Sequence, residues 1–462
     1  LAEQPRYCNM KKLGQIFKNK EIVDRIFFTL MILLVFRIGA AIAVPGVKIV
    51  GDWSDSDALS MMNLLGGGAL SSFSIFALGV SPYITAQIIV QLLSMDVLPA
   101  LTELNKQGQY GRKKMEMATR YLTLLLGAVQ AYGIIKTMEA TEYIEVTTIA
   151  NSDFLTYAYI VTVLVAGGML VMWLGDQISV KGIGNGISVI IFAGIVVSLP
   201  KQIAEAFVQY MSNPLLSKQP SLIVAGGARF LLYILAYLAI ITFVIYIESS
   251  KRKIPVQHAG KSGGTGQRYS QASFLPIKIN SAGVIPVIFA SSIMMAPQVI
   301  VSFIDGADTS AEWLNIFSSS KMTTMPWFGG KTWQMPWGLI IYVVLIIAFT
   351  FFYSSLQINP EQMAENFQKN GSYIPGIKPG NETERYVKKV LNRVTFIGAF
   401  ALAFIAALPV VLVLTGLLPQ SLALGGTGLI IVVGVALEVS AQIDGLVAGK
   451  SFEEVQSRAG RE

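Results

Sequence analysis

The chain has little charge, one cysteine and one histidine. Charged residues fill 14% of its 462 positions and hydrophobic residues 53%, whereas a soluble domain carries about 25% charged residues. This deficit excludes an ordinary soluble globular protein. Cys8 has no partner for an internal disulfide, and Cys8 with His258 supplies no Cys/His metal pattern.

The sequence also lacks the usual catalytic patterns. It has no HExxH motif, and the lone histidine offers no Ser-His-Asp set. Gly260-Lys261-Ser262 resembles the end of a phosphate-binding loop, but Pro255 stands where that loop needs its first glycine. We therefore expect no enzyme activity of its own, no catalytic residues, no cofactor and no metal. A partner or the membrane potential would supply any energy that the protein needs.

Long apolar runs take the place of charge, and each matches the roughly 20 residues that cross a bilayer. They predict an all-α polytopic membrane protein of about ten transmembrane helices. Strict ten-residue alternation is missing, which argues against a barrel. The predicted spans lie at about 23–43, 78–94, 117–136, 154–175, 184–204, 222–247, 281–304, 337–358, 394–416 and 424–445.

Lysine and arginine crowd alternate connections between these spans, which indicates a cytoplasmic face and two cytoplasmic termini. The formal charge of +7 suits anionic lipids, ribosomal RNA or an acidic protein partner, although the positive-inside bias alone explains most of it. We interpret residues 1–9, which precede Met10, as an upstream or non-native extension. The predicted parts are an N-terminal half (10–205), a C-terminal half (206–446) and a cytoplasmic tail (447–462).

The two halves share a short similar sequence. Gly79-Val80-Ser81-Pro82 opens the second span, and Gly283-Val284-Ile285-Pro286 lies in the seventh. These are the second spans of two five-span halves that run in opposite directions. Inverted repeats of this kind place the functional site at their interface.

Residues 61–94 are almost uncharged, yet too long and too broken for one span. Gly66, Gly67 and Gly68 interrupt the first part, and Gly79 and Pro82 interrupt the second. Non-helical backbone at membrane depth is tolerated where protein buries it or where it lines a cavity. We predict a re-entrant half-helix, a hinge and then a span. An extramembrane loop before one helix is the alternative.

Two connections, about 249–280 and 359–393, are longer than the 2–8 residues that link most helices. The first carries β-like pieces at 254–256 and 273–279. The sequence of the second connection predicts a short helix at 360–370, a turn region at 373–380 and a helix start capped by Asn381. We call them the long basic loops. They are either docking loops for a large partner or solvated connectors.

Ordered motifs along the chain resemble one family. They include VFRIGA at 35–40, GGGALSSFSIFALGVSPYITAQIIVQLL at 66–93, KQGQYGRKK at 106–114, MWLGDQIS at 172–179, KGIGNGISVIIFAGIV at 181–196, LPIKINSAGVIPVIFASSI at 275–293, NPEQMAENFQKNGSYIPGIKPG at 359–380 and GGTGLIIVVGVALE at 425–438. Together they resemble the SecY family, the central subunits of bacterial protein-conducting channels, from Met10 onward. The resemblance implies ten helices in two inverted five-helix halves, with a re-entrant plug half-helix at about 61–72.

The resemblance also implies four sets of site residues. The pore ring would be Val80, Ile84, Ile191, Ile288 and Ile431. The plug would include Leu64, Leu65, Gly66, Gly67, Gly68, Ala69 and Leu70. The lateral gate would lie between the second and seventh spans, with Ser81, Pro82, Thr85, Gln87, Pro286, Ser291 and Ser292. Docking residues would be Arg252, Lys253, Lys261, Arg268, Lys378 and Arg385.

Physical chemistry supports these assignments in outline. An apolar constriction gates ions by dewetting and has no polar groups to satisfy around a passing chain. Without the resemblance, the ring positions would be ordinary core. Pro286 and Pro297 would weaken the hydrogen-bond ladder of the seventh helix. Lys378 stands where the family commonly has arginine. Lysine keeps the positive charge but lacks the planar, fork-shaped guanidinium group. Phe274 stands where histidine is frequent in the family.

The implied function is translocation of unfolded secretory proteins across the bacterial cytoplasmic membrane, with sideways release of membrane segments into lipid. The implied partners are SecE-type and SecG-type small subunits, the SecA motor ATPase, the ribosome, unfolded preproteins with signal sequences, and anionic lipids. An ion-coupled solute carrier and a non-conducting scaffold are the alternatives.

Overall fold

Helices dominate the computed structural model, as the apolar runs predict. It describes residues 19–51, 59, 62–63, 66–94, 98–107, 109–140, 142–147, 152–217, 220–258, 273–301, 312–318, 322–326, 332–415 and 420–459. The helices are α1 Lys20–Ala40, α2 Ser81–Leu93, α3 Pro99–Lys106, α4 Gln109–Ala140, α5 Asp153–Lys181, α6 Gly186–Ser217, α7 Pro220–Ser249, α8 Ile285–Val301, α9 Trp337–Gln357, α10 Pro360–Lys369, α11 Asn381–Leu414 and α12 Gln420–Ala459. The strands are β1 Val47–Ile49, β2 Ile144–Val146, β3 Lys251–His258, β4 Ser273–Lys278, β5 Thr323–Pro326, β6 Thr332–Met335 and β7 Ser372–Tyr373.

Seven helices of the described chain are long and apolar enough to cross a membrane: α4, α5, α6, α7, α9, α11 and α12. The other three predicted spans coincide with α1, α2 and α8, which have 21, 13 and 17 residues. The fold is thus an all-α polytopic membrane protein, and the full count of ten remains a prediction. The extension at 1–9 lies outside the described residues.

The chain divides into two compact units. The first comprises the described residues within 1–203, 298–309 and 435–462, and the second those within 204–297 and 310–434. In the first unit α4 packs along both α2 and α5, and α1 packs on α5. In the second, α9 packs along α11, and the long basic loops pack on the first turns of α11.

The two Gly-Val-x-Pro sequences have similar backbones. Gly79 has φ +55° and Gly283 has φ +64°, a left-handed conformation that glycine adopts without a Cβ penalty. Each glycine precedes a helix whose second residue is proline, Pro82 in α2 and Pro286 in α8. The expectation that Pro286 weakens the helical ladder is therefore wrong, because a proline in the first turn replaces an N–H that has no partner there. Pro297 does lie inside α8.

The long basic loops form one three-stranded sheet in the order β4-β3-β7. Strand β3 pairs antiparallel with β4 through Ile254 and Leu275, and with β7 through Gln257 and Tyr373. One face of this sheet is apolar and buries its side chains against α10 and α11. The core of that packing consists of Ile254, Ile277, Ile374, Val387, Leu391 and Val394. The predicted β-like pieces and the short helix at 360–370 are confirmed.

Two local features differ from expectation. Gly380, with φ +99°, is the residue before α11, and no side chain caps that helix, so Asn381 is not the cap. Thr383 instead donates from Oγ1 to the Lys378 carbonyl at 2.9 Å, which closes the preceding turn. Two small antiparallel pairs, β1-β2 and β5-β6, were not expected from the sequence.

Candidate channel site

The described residues of the predicted plug segment (62–63 and 66–72 of 61–72) form turns and a short helix in the first unit. Met62 and Asn63 have helical backbone, Gly66–Gly68 form a turn and Leu70–Ser72 a short 3₁₀ helix. The N–H of Gly68 donates to the Asn63 carbonyl at 2.7 Å, and the N–H of Ser71 to Asn63 Oδ1 at 3.0 Å. Asn63 thereby folds the segment back on itself.

Burial of this segment agrees with a re-entrant element. Ala69 and Leu70 have no exposed surface, and Gly66 and Gly67 are buried. Ser72 donates from Oγ to the carbonyl of Ala40 at 2.9 Å, at the end of α1. Leu64 and Leu65 lie outside the described residues.

Glycines let the plug segment touch neighbouring backbone directly. A Cβ added to Gly194 in α6 would overlap Gly67, and a Cβ added to Gly79 would overlap Gly66. On the other side of Gly67, an added Cβ would lie 2.8 Å from Cζ of Phe36 in α1. The segment is thus held between α1, α6 and the residues that lead into α2.

Phe76 fixes the chain between the plug segment and α2. Its ring stacks on Phe36 at a centroid distance of 5.7 Å and an interplanar angle of 2°. A Cβ added to Gly39 in α1 would overlap that ring, and one added to Gly167 in α5 would overlap the Ile75 carbonyl. Small residues on α1 and α5 therefore provide the space in which this stretch lies.

The five predicted ring residues are buried, with 1–5% of each side chain exposed. Val80, Ile84 and Ile191 belong to the first unit, and Ile288 and Ile431 to the second. Val80 precedes α2, and the N–H of Ile84 donates to its carbonyl at 3.0 Å, so the two are one turn apart. Their convergence into a ring remains a prediction.

The hydroxyls of three predicted gate residues, Thr85, Ser291 and Ser292, are satisfied inside their own helices. Thr85 donates from Oγ1 to the Ser81 carbonyl at 3.1 Å. Ser291 and Ser292 both donate from Oγ to the Ile288 carbonyl, at 2.8 and 2.9 Å. Such hydroxyls require no partner on another helix.

The remaining gate residues differ in their surroundings. Pro82 packs near Gly127 of α4, where a Cβ added to the glycine would lie 3.8 Å from Cβ of the proline. Pro82 therefore faces the interior of the first unit. Gln87 is half-buried in α2, and Pro286 is buried in α8.

Predicted docking residues lie on the three-stranded sheet and beside it, in the second unit. Arg252 and Lys253 of β3, Lys378 and Arg385 are exposed. Strand pairing sets Lys251 directly opposite Lys278, which concentrates positive charge at one end of the sheet. Phe274 is 52% exposed on β4, so it is available to a partner. Lys261 and Arg268 lie outside the described residues.

A polar network connects this sheet to the start of α8. Asn280, just after β4, donates from Nδ2 to Glu248 Oε1 of α7 at 2.6 Å. The hydroxyls of Ser281 and Ser354 are 2.7 Å apart, and those of Ser354 and Thr395 are also 2.7 Å apart. The chain segment from sheet to α8 is therefore bonded to α7 and α9, and through Ser354 to α11.

Several residues that build the site were missed from the sequence. Gly194, Phe36 and Gly39 shape the space around the plug segment and Phe76, yet the sequence around them marks them only weakly. Glycine in an otherwise apolar span, as in VIIFAGIV, is a weak indication of close backbone approach. Only the three-dimensional neighbours show which backbone approaches.

Similar proteins agree with this architecture. The SecY family model matches residues 74–440. The protein translocase subunit SecY of Mycoplasma capricolum is 41% identical over 455 residues, covering 96% of this chain and 91% of that protein. The SecY of Bacillus subtilis strain 168 is 42% identical over 446 residues, covering 96% and 98%.

Solved structures share the fold at lower sequence identity. A protein-conducting channel superposes with a TM-score of 0.63, at 18% identity and with 91% of both chains covered. A SecY structure whose plug domain stabilises the closed state of the translocation channel, and canine Sec61 in a ribosome–channel complex from the endoplasmic reticulum, each give a TM-score of 0.60, with the same identity and coverage.

The fold, together with the identity to translocase subunits, defines a multi-pass helical membrane protein of the protein-translocation channel class. The chain belongs to the SecY family, since the family model and full-length relatives above 40% identity both match it.

Proposed function

We propose that this chain forms the pore through which unfolded secretory proteins cross the bacterial cytoplasmic membrane. The observation that carries the proposal is its 41–42% identity with SecY translocase subunits over nearly the whole chain. The chain supplies no energy in this proposal. A SecA-type ATPase or the translating ribosome drives the substrate.

The channel elements in this proposal follow the predicted residues. Gly66–Leu70 close the pore from the outer side, and Val80, Ile84, Ile191, Ile288 and Ile431 form an apolar constriction. Burial of Gly66, Gly67, Ala69 and Leu70 and of all five aliphatic side chains supports these roles. Such a constriction blocks hydrated ions by dewetting and still moulds around a passing polypeptide.

The proposed lateral gate opens between α2 and α8 and releases apolar segments into lipid. The left-handed glycines before both helices support it, because glycine is free to change conformation at a hinge. The hydroxyls of Thr85, Ser291 and Ser292, satisfied within their own helices, support it as well.

In the proposed orientation both termini and the long basic loops are cytoplasmic. The exposed lysines and arginines of the sheet, together with Phe274, would dock the motor or the ribosome. The polar network at Asn280 and Ser281 would carry that docking to the start of α8. SecE-type and SecG-type subunits and anionic lipids complete the proposed assembly.

Reconstitution tests the proposal directly. The chain is co-expressed with a SecE-type subunit, placed in proteoliposomes and supplied with SecA, ATP and an unfolded preprotein. Protection of the preprotein from external protease, dependent on SecA and ATP, is the expected result. Uptake of small solutes without SecA would favour a solute carrier instead. If neither translocation nor solute uptake were observed, the result would favour a non-conducting scaffold.

A further inference from the structure

We propose that Gly194 is the seat of the plug segment: its lack of a side chain lets Gly67 close against α6, and this contact sets the closed state. The proposal rests on the proposed channel function and goes beyond it by assigning a positioning role to a residue outside the plug, the ring and the gate. The experiments below separate the two.

Backbone meets backbone at this contact. Gly67 is buried and has φ +70°, and a Cβ added to it would meet Cζ of Phe36 at 2.8 Å and Cα of Gly194 at 3.4 Å. From the opposite side, a Cβ added to Gly194 would overlap Cα of Gly67. Backbone has no rotamer with which to avoid such an overlap, so any larger residue at 194 must displace the plug segment or α6 itself.

The plug segment is the part that can move. Its described polar contacts to α1 involve one hydroxyl, from Ser72 to Ala40, and most of its hydrogen bonds are internal, through Asn63. Helix α6 instead has 32 residues, and Pro200, which lacks the N–H of the hydrogen-bond ladder, lies six residues beyond Gly194. A side chain at 194 therefore lifts the plug segment from its seat rather than deforming the helix.

Gly194 lies three residues after Ile191 on α6. Residues three apart lie on the same helix face, so the seat and a predicted ring residue occupy neighbouring positions on that face. One helix thus positions both barriers to ions, and a change at 194 acts on the plug without altering an apolar ring side chain.

The test uses Gly194→Val in proteoliposomes with the SecE-type subunit, without SecA or substrate, and measures anion leak. Overpacking of this kind shifts an equilibrium roughly 5- to 150-fold, and we expect the resting leak to rise in that range. Gly227→Val is the matched control, because Gly227 is also a helical glycine of an apolar span and an added Cβ meets nothing within 4 Å. Its leak should equal that of the unsubstituted chain.

A variant that lacks the plug contact shows whether Gly194→Val acts by displacing the plug segment or by disturbing the packing of the helices in general. Removal of residues 65–70 takes away the plug contact and should itself raise the leak. Adding Gly194→Val to that deletion should then leave the resting leak at the level of the deletion alone. A further increase there, an unchanged leak in the single variant, or an equal rise in Gly227→Val would each overturn the proposal.

If the Gly194→Val protein does not fold, Gly194→Ala takes its place. The expected rise in resting leak is then smaller, and the same three outcomes would overturn the proposal. Failure of the proposed function shows separately, because SecA-dependent translocation is measured on the unsubstituted chain. Loss of translocation there contradicts the channel function, whereas the leak series tests the seat alone.

Discussion

Phe76 and Gly39 offer a sharp test of how the chain before α2 is held. The Phe76 ring is 2% exposed and stacks on Phe36, so Phe76→Ala removes both buried area and an aromatic contact. The expected loss of unfolding free energy is about 3 to 5 kcal/mol. Gly39→Ala alone places a methyl group into the ring of Phe76, and overpacking costs about 1 to 3 kcal/mol.

The double variant Gly39→Ala/Phe76→Ala should be more stable than the sum of the two single losses in unfolding free energy predicts. Without the Phe76 ring, the methyl group at 39 has space, and alanine is favoured over glycine within a helix by up to about 1 kcal/mol, less at 39 because α1 ends at Ala40. We therefore expect Gly39→Ala to stabilise the Phe76→Ala protein, with a coupling free energy of about 1 to 3 kcal/mol.

The assay is equilibrium unfolding of the four chains in mixed detergent micelles. Gly127→Ala is the control, because a Cβ added there finds its nearest atoms at 3.8 Å, and it should be additive with Phe76→Ala. Additivity of Gly39→Ala with Phe76→Ala would refute the reasoning, since it would mean that the ring does not require glycine at 39.

Three further outcomes are expected. Serine at both Ile191 and Ile431 should raise resting conductance, because hydroxyls wet an apolar constriction; unchanged currents in planar bilayers would argue against the ring. Lys378→Glu should lower SecA-dependent translocation while Lys378→Arg retains it, since only the charge is required of this exposed side chain; equal activity of both variants would contradict the docking role. Ser354→Ala should lower the free energy of unfolding by about 1 to 3 kcal/mol because the half-buried Ser281 hydroxyl and the buried Thr395 hydroxyl lose a shared partner, and an unchanged midpoint in thermal unfolding would count against the network.

Hydropathy located the membrane helices because apolar content is a local property of sequence. The predicted span at 337–358 and helix α9, Trp337–Gln357, nearly coincide. Where helices extend beyond the apolar region, the prediction falls short. Helix α4 begins at Gln109, earlier than the predicted 117, because its polar first turns carry no hydropathy signal.

Contacts between distant parts of the chain could not be predicted in the same way. The sequence shows glycines at 67 and 194, but not that one backbone closes on the other. It shows β-like pieces in the first long basic loop, but not that β3 pairs with Tyr373 of the second. Register across such separations depends on the surrounding helices, and only the family resemblance named the site residues.

The shared sheet of the two long basic loops has a consequence for synthesis. A ribosome completes β3 and β4 well before it reaches Ser372 and Tyr373, so one edge of β3 lacks its partner strand during the interval. Unpaired edges invite wrong pairing, and the bulky Val387 and Leu391 that cover the apolar face of the sheet arrive later still. The basic surface is therefore completed only after Leu391, when α1 to α9 have already been made and α12 has not.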